Sequence, residues 1–258
     1  MRQYIQNFLK FRPLLEELVA RDIKIKYRRS VLGVVWTLLN PLFMMIIISI
    51  VFSNLFRFDI ENFPLYILSG QLIFNFFSGA TTDAMSSIIG NAALIKKIYV
   101  PKYLFVLSRV FSSFINLLAS FSALLLMMLV MRAELNWTVF LVVIPICLVA
   151  VFSLGVGLLL AAVTVQFRDI MHLYSVFITG LMYLTPVIYP MSILPPAIEM
   201  IVLANPLTNM LQMLRDVMLN GCVPSLASIL IGTAEAAVSL AIGLYVFYKR
   251  QDYFILNI

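Results

Sequence analysis

Between Ser30 and Phe56 the chain carries no charged residue. A bilayer's hydrocarbon core is crossed by helices of about 20 apolar residues, and an unpaired charge at that depth is costly enough to be rare. Charge-free stretches therefore locate spans directly. Charge-poor stretches along the whole sequence, interrupted only by Asp83, Arg109 and Glu235, predict six of them, at residues 34–55, 65–88, 104–131, 137–165, 171–189 and 226–248. Composition points the same way: 62% of residues are hydrophobic and 12% charged, against roughly 45–50% and about 25% in soluble domains, so the surplus has to face lipid. The expected fold is an all-α integral membrane protein forming a single domain over residues 1–258. It comprises a cytoplasmic interface arm (1–30) and a six-span bundle (31–258).

Six spans put both termini on one side, and the basic residues say which. The arm holds Arg2, Lys10, Arg12, Arg21, Lys24, Lys26, Arg28 and Arg29. The connection after the second span, with the start of the third, holds Lys96, Lys97, Lys102 and Arg109, the connection after the fourth holds Arg168, and the tail holds Lys249 and Arg250. Only Arg57, Arg132 and Arg215 fall on the opposite side. Cytoplasmic loops carry the Lys/Arg excess, so both termini are expected in the cytoplasm, and the net charge of +6 implies a membrane orientation rather than a nucleic-acid partner.

Two segments do not fit a simple span. In the arm, Pro13 suits a helix's first turn, Glu16 and Glu17 follow it, and basic residues crowd the far end, matching the helix dipole. With Leu14, Leu15, Leu18, Val19 and Ile25 on it, this reads as an amphipathic helix at the interface. It lacks the continuous apolar core of a cleavable signal peptide. Between the last two spans, 193–203 is apolar but broken by Pro195-Pro196 and closed by Asn205-Pro206. Apolar runs of that length are re-entrant or interfacial, so an external re-entrant helical hairpin is expected before the last span.

Several activities are excluded. Six spans use up nearly the whole length, leaving no room for an energy-coupling domain, and no segment matches GxxxxGK[ST]. Any uphill transport therefore draws on a partner. The one histidine, His172, rules out a multi-histidine metal site, and Cys147 and Cys222 are too far apart for a metal motif. No acidic pair is spaced for glycosyl chemistry.

Three predicted spans carry polar residues at helical spacing, which places each set on one face. The second has Gln71, Asn75, Ser78 and Thr82; the third Arg109, Ser113, Asn116 and Ser120; the last Ser228, Gly232, Glu235 and Ser239. Such stripes ordinarily serve helix packing. Three of them in one small bundle also suit an aqueous or sugar-lined passage, and Glu235 in mid-span is a functional-site candidate in its own right. Aromatic faces offer a platform for sugar rings, with Phe74, Phe77 and Tyr183 as candidates.

The segment LVARDIKIKYRRSVLGVVWTLLNP (18–41) resembles the start of ABC-2 type permeases that export polysaccharides. LIKKIYVPK (94–102), FRDI (167–170), TPVIYP (185–190) and NPLTNMLQMLRD (205–216) look like that family's loops and external region. The resemblance implies a homodimer joined to two copies of a separate ATPase in a bacterial inner membrane, exporting a lipid-linked glycan such as O-antigen or teichoic acid. This chain would be non-catalytic and hold no cofactor, ATP and Mg being bound by the partner. It further implies that 89–100, with Asn91, Lys96, Lys97 and Tyr99, seats on the ATPase, and that Leu32 and Gly33 lie near the substrate's head group. Arg28 and Arg29 beside them are candidates for a pyrophosphate contact, since Arg matches phosphate geometry, or simply anchor the positive side. Other readings that fit the sequence are a capsule or small-molecule exporter of the same architecture, a membrane-embedded transferase on lipid-linked sugars, and a passive pore.

Overall fold

The computed structural model describes residues 2–27, 30, 32–55 and 62–257. Among them there are helices and turns and no strand. The long elements are α1 (Arg2–Tyr27), α2 (Trp36–Leu55), α3 (Phe63–Gly90), the short α4 (Ala92–Lys97), α5 (Tyr103–Val130), α6 (Val143–Thr164) and α7 (Ile170–Tyr183). Two short helices, α8 (Pro196–Leu203) and α9 (Pro206–Met218), precede α10 (Leu226–Arg250) and a terminal turn, α11 (Phe254–Asn257).

Among the described residues three helical segments are long and apolar enough to cross a membrane: Tyr103–Val130, Trp137–Thr164 and Leu226–Tyr253. Trp36–Ile48 and Ile170–Tyr183 are apolar but shorter. The last stops well before the expected residue 189, because Pro186 disfavours helix at the residue before it and Thr185 turns the chain. α3 has the length of a span but is too polar to be counted with them. The reason is its position: α3 is the central helix, packed against α2, α5, α6 and α9, with Leu65, Ile73, Ala80, Ala84 and Ile88 fully enclosed. Lipid offers no hydrophobic drive between helices, so close van der Waals fit and internal hydrogen bonds hold such a bundle together.

The arm departs from expectation at its start. α1 begins at Arg2 and runs through Pro13, which lies inside the helix rather than in its first turn, with no acid in the first turn. A buried interior proline is costly because it removes a backbone donor and crowds the carbonyl four residues back. Pro13 is exposed, where water can take over that carbonyl. Glu16 sits mid-helix, paired with Arg12 at 2.8 Å. The buried face of α1 is Leu15, Leu18 and Asp22, spaced i, i+3, i+7 and packed on α5, while Ile25 is exposed.

One end of the bundle gathers the basic residues. Arg21 of α1 reaches Asn91 at the α3–α4 junction, Lys102 donates to the Gln251 carbonyl, and Arg250 donates to Gln166. Burial lowers the pKa of Lys102, opposed by the nearby Asp252 carboxylate. At the opposite end Tyr66 donates to the Tyr189 carbonyl and Thr138 to that of Val217.

Candidate functional site

A cleft of about 500 Å³ opens between α2, α3 and α5. It exists because three helices present small or amide side chains to one another where apolar ones would have closed the gap. α3 contributes Gln71, Asn75 and Gly79; α5 contributes Ser113, Asn116 and Ser120; α2 contributes Thr37 and Asn40. Phe74 and Trp36 supply apolar wall, and Lys26 and Asp83 lie towards the basic end. Gln71 is buried and its Oε1 has no hydrogen-bond partner among the described residues. A buried amide oxygen left this way is open to a donor from the cleft. At Gly79 an added Cβ would meet nothing within 4 Å, so the space beside it is open.

The sequence-derived candidates divide. Gln71, Phe74, Asn75, Asn116 and Ser120 meet in the cleft. Ser78 and Thr82 lie on the next strip of α3, half-buried and exposed, because a helix drifts and the cleft follows Gln71, Asn75, Gly79 and Asp83 instead. Phe77 points the other way, stacked on Phe152 of α6 at 5.6 Å. Tyr183 is 69% exposed on α7. Glu235 on α10 is half-buried, with Oε2 unpartnered among the described residues; the polar stripe of α10 lies against α6 and α9, where Asn209 donates to the Ser228 carbonyl, and does not reach the cleft. Ser239 of that stripe donates to the Phe152 carbonyl.

Near the basic end, Arg28 and Arg29 fall outside the described residues. Leu32 is exposed. Gly33 holds φ +50, a left-handed conformation that favours glycine, and its N–H donates to Ser30 Oγ at 3.1 Å. At the end of α4 and just after it, Lys96, Lys97 and Tyr99 are all exposed, Tyr99 by 96%. Ile95 and Val100 are buried on either side and anchor them. Asn91 is different, since it is buried beneath that surface, donating to the Ser87 carbonyl at 2.8 Å and accepting from Arg21 at 3.0 Å. Asp22, also buried, accepts from Arg21 at 3.1 Å and pairs with Arg109 of α5 at 3.4 Å. These four side chains tie α1, the α3–α4 junction and α5 into one joint. Among the described residues no group of His, Cys, Asp and Glu is placed to hold a metal ion.

Residues 13–219, from within α1 to the end of α9, match the ABC-2 type transporter family. The chain belongs to that family. It is similar over 256 residues, at 27% identity and 98% of each chain, to the O-antigen export system permease protein RfbA of Myxococcus xanthus. The similarly named protein of Klebsiella pneumoniae is 29% identical over 81% of both chains. The polysialic acid transport protein KpsM of Escherichia coli is 22% identical over 92% of this chain and 93% of its own.

The most elaborate polar contact in this ABC-2 type chain is one the stripes did not point to. Arg215 of α9 is buried, and its guanidinium donates to the carbonyls of Pro186 at 2.7 Å, Tyr66 at 3.1 Å and Val187 at 3.1 Å. A longer contact reaches Ser69 Oγ at 3.3 Å, and the guanidinium carbon stacks 3.4 Å from the Tyr66 ring centroid. Five N–H donors in a rigid plane are what one side chain needs for that task. The signal was legible: Arg215 falls at i+8 from Leu207 and i+4 from Leu211, on the apolar face of α9. Asp22 breaks the apolar face of α1 in the same way, at i+4 from Leu18.

Proposed function

We propose that this chain is the membrane-spanning permease subunit of an ATP-driven exporter, moving a lipid-linked polysaccharide of O-antigen type out of the cytoplasm. The observation that carries this is the end-to-end likeness to proteins named as O-antigen export permeases. In this reading α2, α3, α5, α6, α7 and α10 are six spans and both termini face the cytoplasm, as the Lys/Arg bias asks. α1 lies along the cytoplasmic interface, and α8 with α9 forms a hairpin dipping in from outside. The chain is non-catalytic and binds no cofactor; a separate ATPase subunit holds ATP and Mg. Lys96, Lys97 and Tyr99 offer that subunit an exposed surface braced on the Asp22 joint. The complex contains two copies of each subunit. α7 leaves Leu173, Val176 and Phe177 widely exposed, an apolar face for lipid or for the second copy to cover.

The cleft suits the cargo. Carboxamides donate and accept at once, which matches sugar hydroxyls, and the flanking aromatic wall matches the apolar face of a pyranose ring. Capsule polysaccharide is the second reading, supported by the likeness to KpsM at lower identity.

Native mass spectrometry of tagged protein, extracted mildly from its own membrane, tests the assembly: two permease and two ATP-binding subunits are expected, and a stable assembly lacking any ATPase under crosslinking sinks the proposal. The cleft has its own test. Asn75→Trp and Gly79→Leu should stop glycan export while leaving assembly and thermal stability intact; Gly79→Leu should stabilise α3 slightly, since glycine in a helix interior costs roughly 0.5–1 kcal/mol. Normal export by both variants removes the cleft from the transport path.

A further inference from the structure

A second cavity, of about 460 Å³, lies at the basic end, where the last turns of α6 and α10 diverge and the chain after α10 folds back. Its inner wall is apolar, formed by Ala162, Val165, Val246 and Phe254. Phe254 is buried and packs edge-on against Phe247 at 5.2 Å, and Lys102 holds the returning chain by donating to the Gln251 carbonyl and sitting over the Phe254 ring. The floor is therefore built rather than incidental. Its outer rim carries Lys249 and Arg250. Among the described residues no carboxylate lines it and neither cation forms an ion pair: Arg250 meets the neutral Gln166 oxygen at 2.7 Å, and Lys249 lies 5.8 Å from the Tyr245 ring.

We propose that this cavity binds an anionic glycerophospholipid of the cytoplasmic leaflet, its phosphate between Lys249 and Arg250 and an acyl chain along the α6–α10 wall. Three features of the cavity select that occupant over a soluble anion or a peptide. The two uncompensated cations answer one phosphodiester, Arg through its planar donors. The apolar back wall answers a chain, and belongs to two of the helices long and apolar enough to cross a membrane. Tyr245 and Tyr253, exposed by 64–65%, line the mouth, and such rings settle at the headgroup level of a bilayer, which sets the cavity at the depth of the phosphates. Basic pockets between helices on that side of a membrane bind anionic headgroups. The inference rests on the orientation proposed above.

The test uses the full chain with whatever subunits copurify, reconstituted in phosphatidylcholine with or without phosphatidylglycerol, then re-extracted and weighed with its retained lipid. Wild type is expected to keep phosphatidylglycerol in preference to phosphatidylcholine. The double variant Lys249→Gln/Arg250→Gln should lower the retained amount by about tenfold or more, while Lys249→Arg keeps it and Lys10→Gln/Lys24→Gln, which removes equal charge from the N-terminal arm instead, leaves it unchanged. Retention of phosphatidylglycerol no better than phosphatidylcholine overturns the site. So does equal loss in the Lys10/Lys24 variant, which would mean diffuse surface attraction. Detachment of the ATPase with lipid retained in the Lys249/Arg250 variant also overturns it, assigning the rim to the partner. The wild-type spectra separate the two proposals: in wild type, absent lipid with the ATPase present fails the site alone, and absent ATPase with lipid retained fails the exporter reading alone.

Discussion

Arg215→Leu is expected to destabilise the folded protein by about 3 kcal/mol or more, because buried acceptors left without a donor cost about 1–3 kcal/mol each and this guanidinium serves the carbonyls of Pro186 and Val187, as well as that of Tyr66, which keeps the Ser69 hydroxyl as a donor. In a chain of this size that is a fall in Tm of about 10 °C, read by fluorescence-detected size exclusion after heating. The three carbonyls belong to different elements. Tyr66 is in the first turn of α3, and Pro186 and Val187 are in the turn after α7, so the arginine of α9 holds three elements in register from inside. Asn205, capping α9 through Leu207 N and donating to Thr185 at 2.9 Å, ties the same turn from the other end of the helix. Leucine keeps the volume and removes every donor. Arg215→Lys keeps the charge but replaces a planar fork with one compact ammonium, which cannot stack on Tyr66 and reach three carbonyls together. Its stability should fall between leucine and wild type. A leucine variant as stable as wild type would show that the turn is held by packing alone.

Both buried charges were visible in the sequence as breaches of a pattern. Residues 15, 18 and 22 of α1, and 207, 211 and 215 of α9, repeat at helical spacing, and in each series the last member is charged where an apolar residue was due. Periodicity alone shows the breach but not the partner, since Arg109 lies 87 residues from Asp22 and Tyr66 lies 149 from Arg215. The long apolar helices were legible for the opposite reason: α5, α6 and α10 answer to length and hydropathy, which are local. α3 was legible as a helix and misleading as to its surroundings. Its polar stripe marked a cleft wall at Gln71 and Asn75, but where the stripe continued to Ser78 and Thr82 the neighbouring helices, not the spacing, decided what it faced. The equally regular stripe on α10 went to packing. Spacing places residues on a common face, and only tertiary placement says whether that face meets a cavity or another backbone.

That second outcome sets the other large expected effect. α6 and α10 touch backbone to backbone: a Cβ added at Gly243 would lie 2.1 Å from the Gly155 carbonyl oxygen, and one at Gly155 would lie 2.4 Å from the Ser239 carbonyl carbon. Small residues let membrane helices approach this closely and gain the packing that lipid does not otherwise supply. Overfilling a well-packed interior costs typically about 1–3 kcal/mol when side chains can shift, and here the obstructing atoms are main chain, so the whole helix must move. Gly243→Leu should therefore exceed that range, separate α10 from α6, and break the Ser239 bond to the Phe152 carbonyl. Folded, monodisperse protein should be nearly lost from membrane extracts. Gly180→Ala is the control, since a Cβ there meets nothing within 4 Å and should be neutral or stabilising by roughly 0.5–1 kcal/mol. If Gly243→Leu is recovered at wild-type yield and thermal stability, the α6–α10 contact is not the close crossing described. Because α10 also carries Lys249 and Arg250, a partial defect should appear first at the basic end, as loss of retained phosphatidylglycerol before loss of the fold.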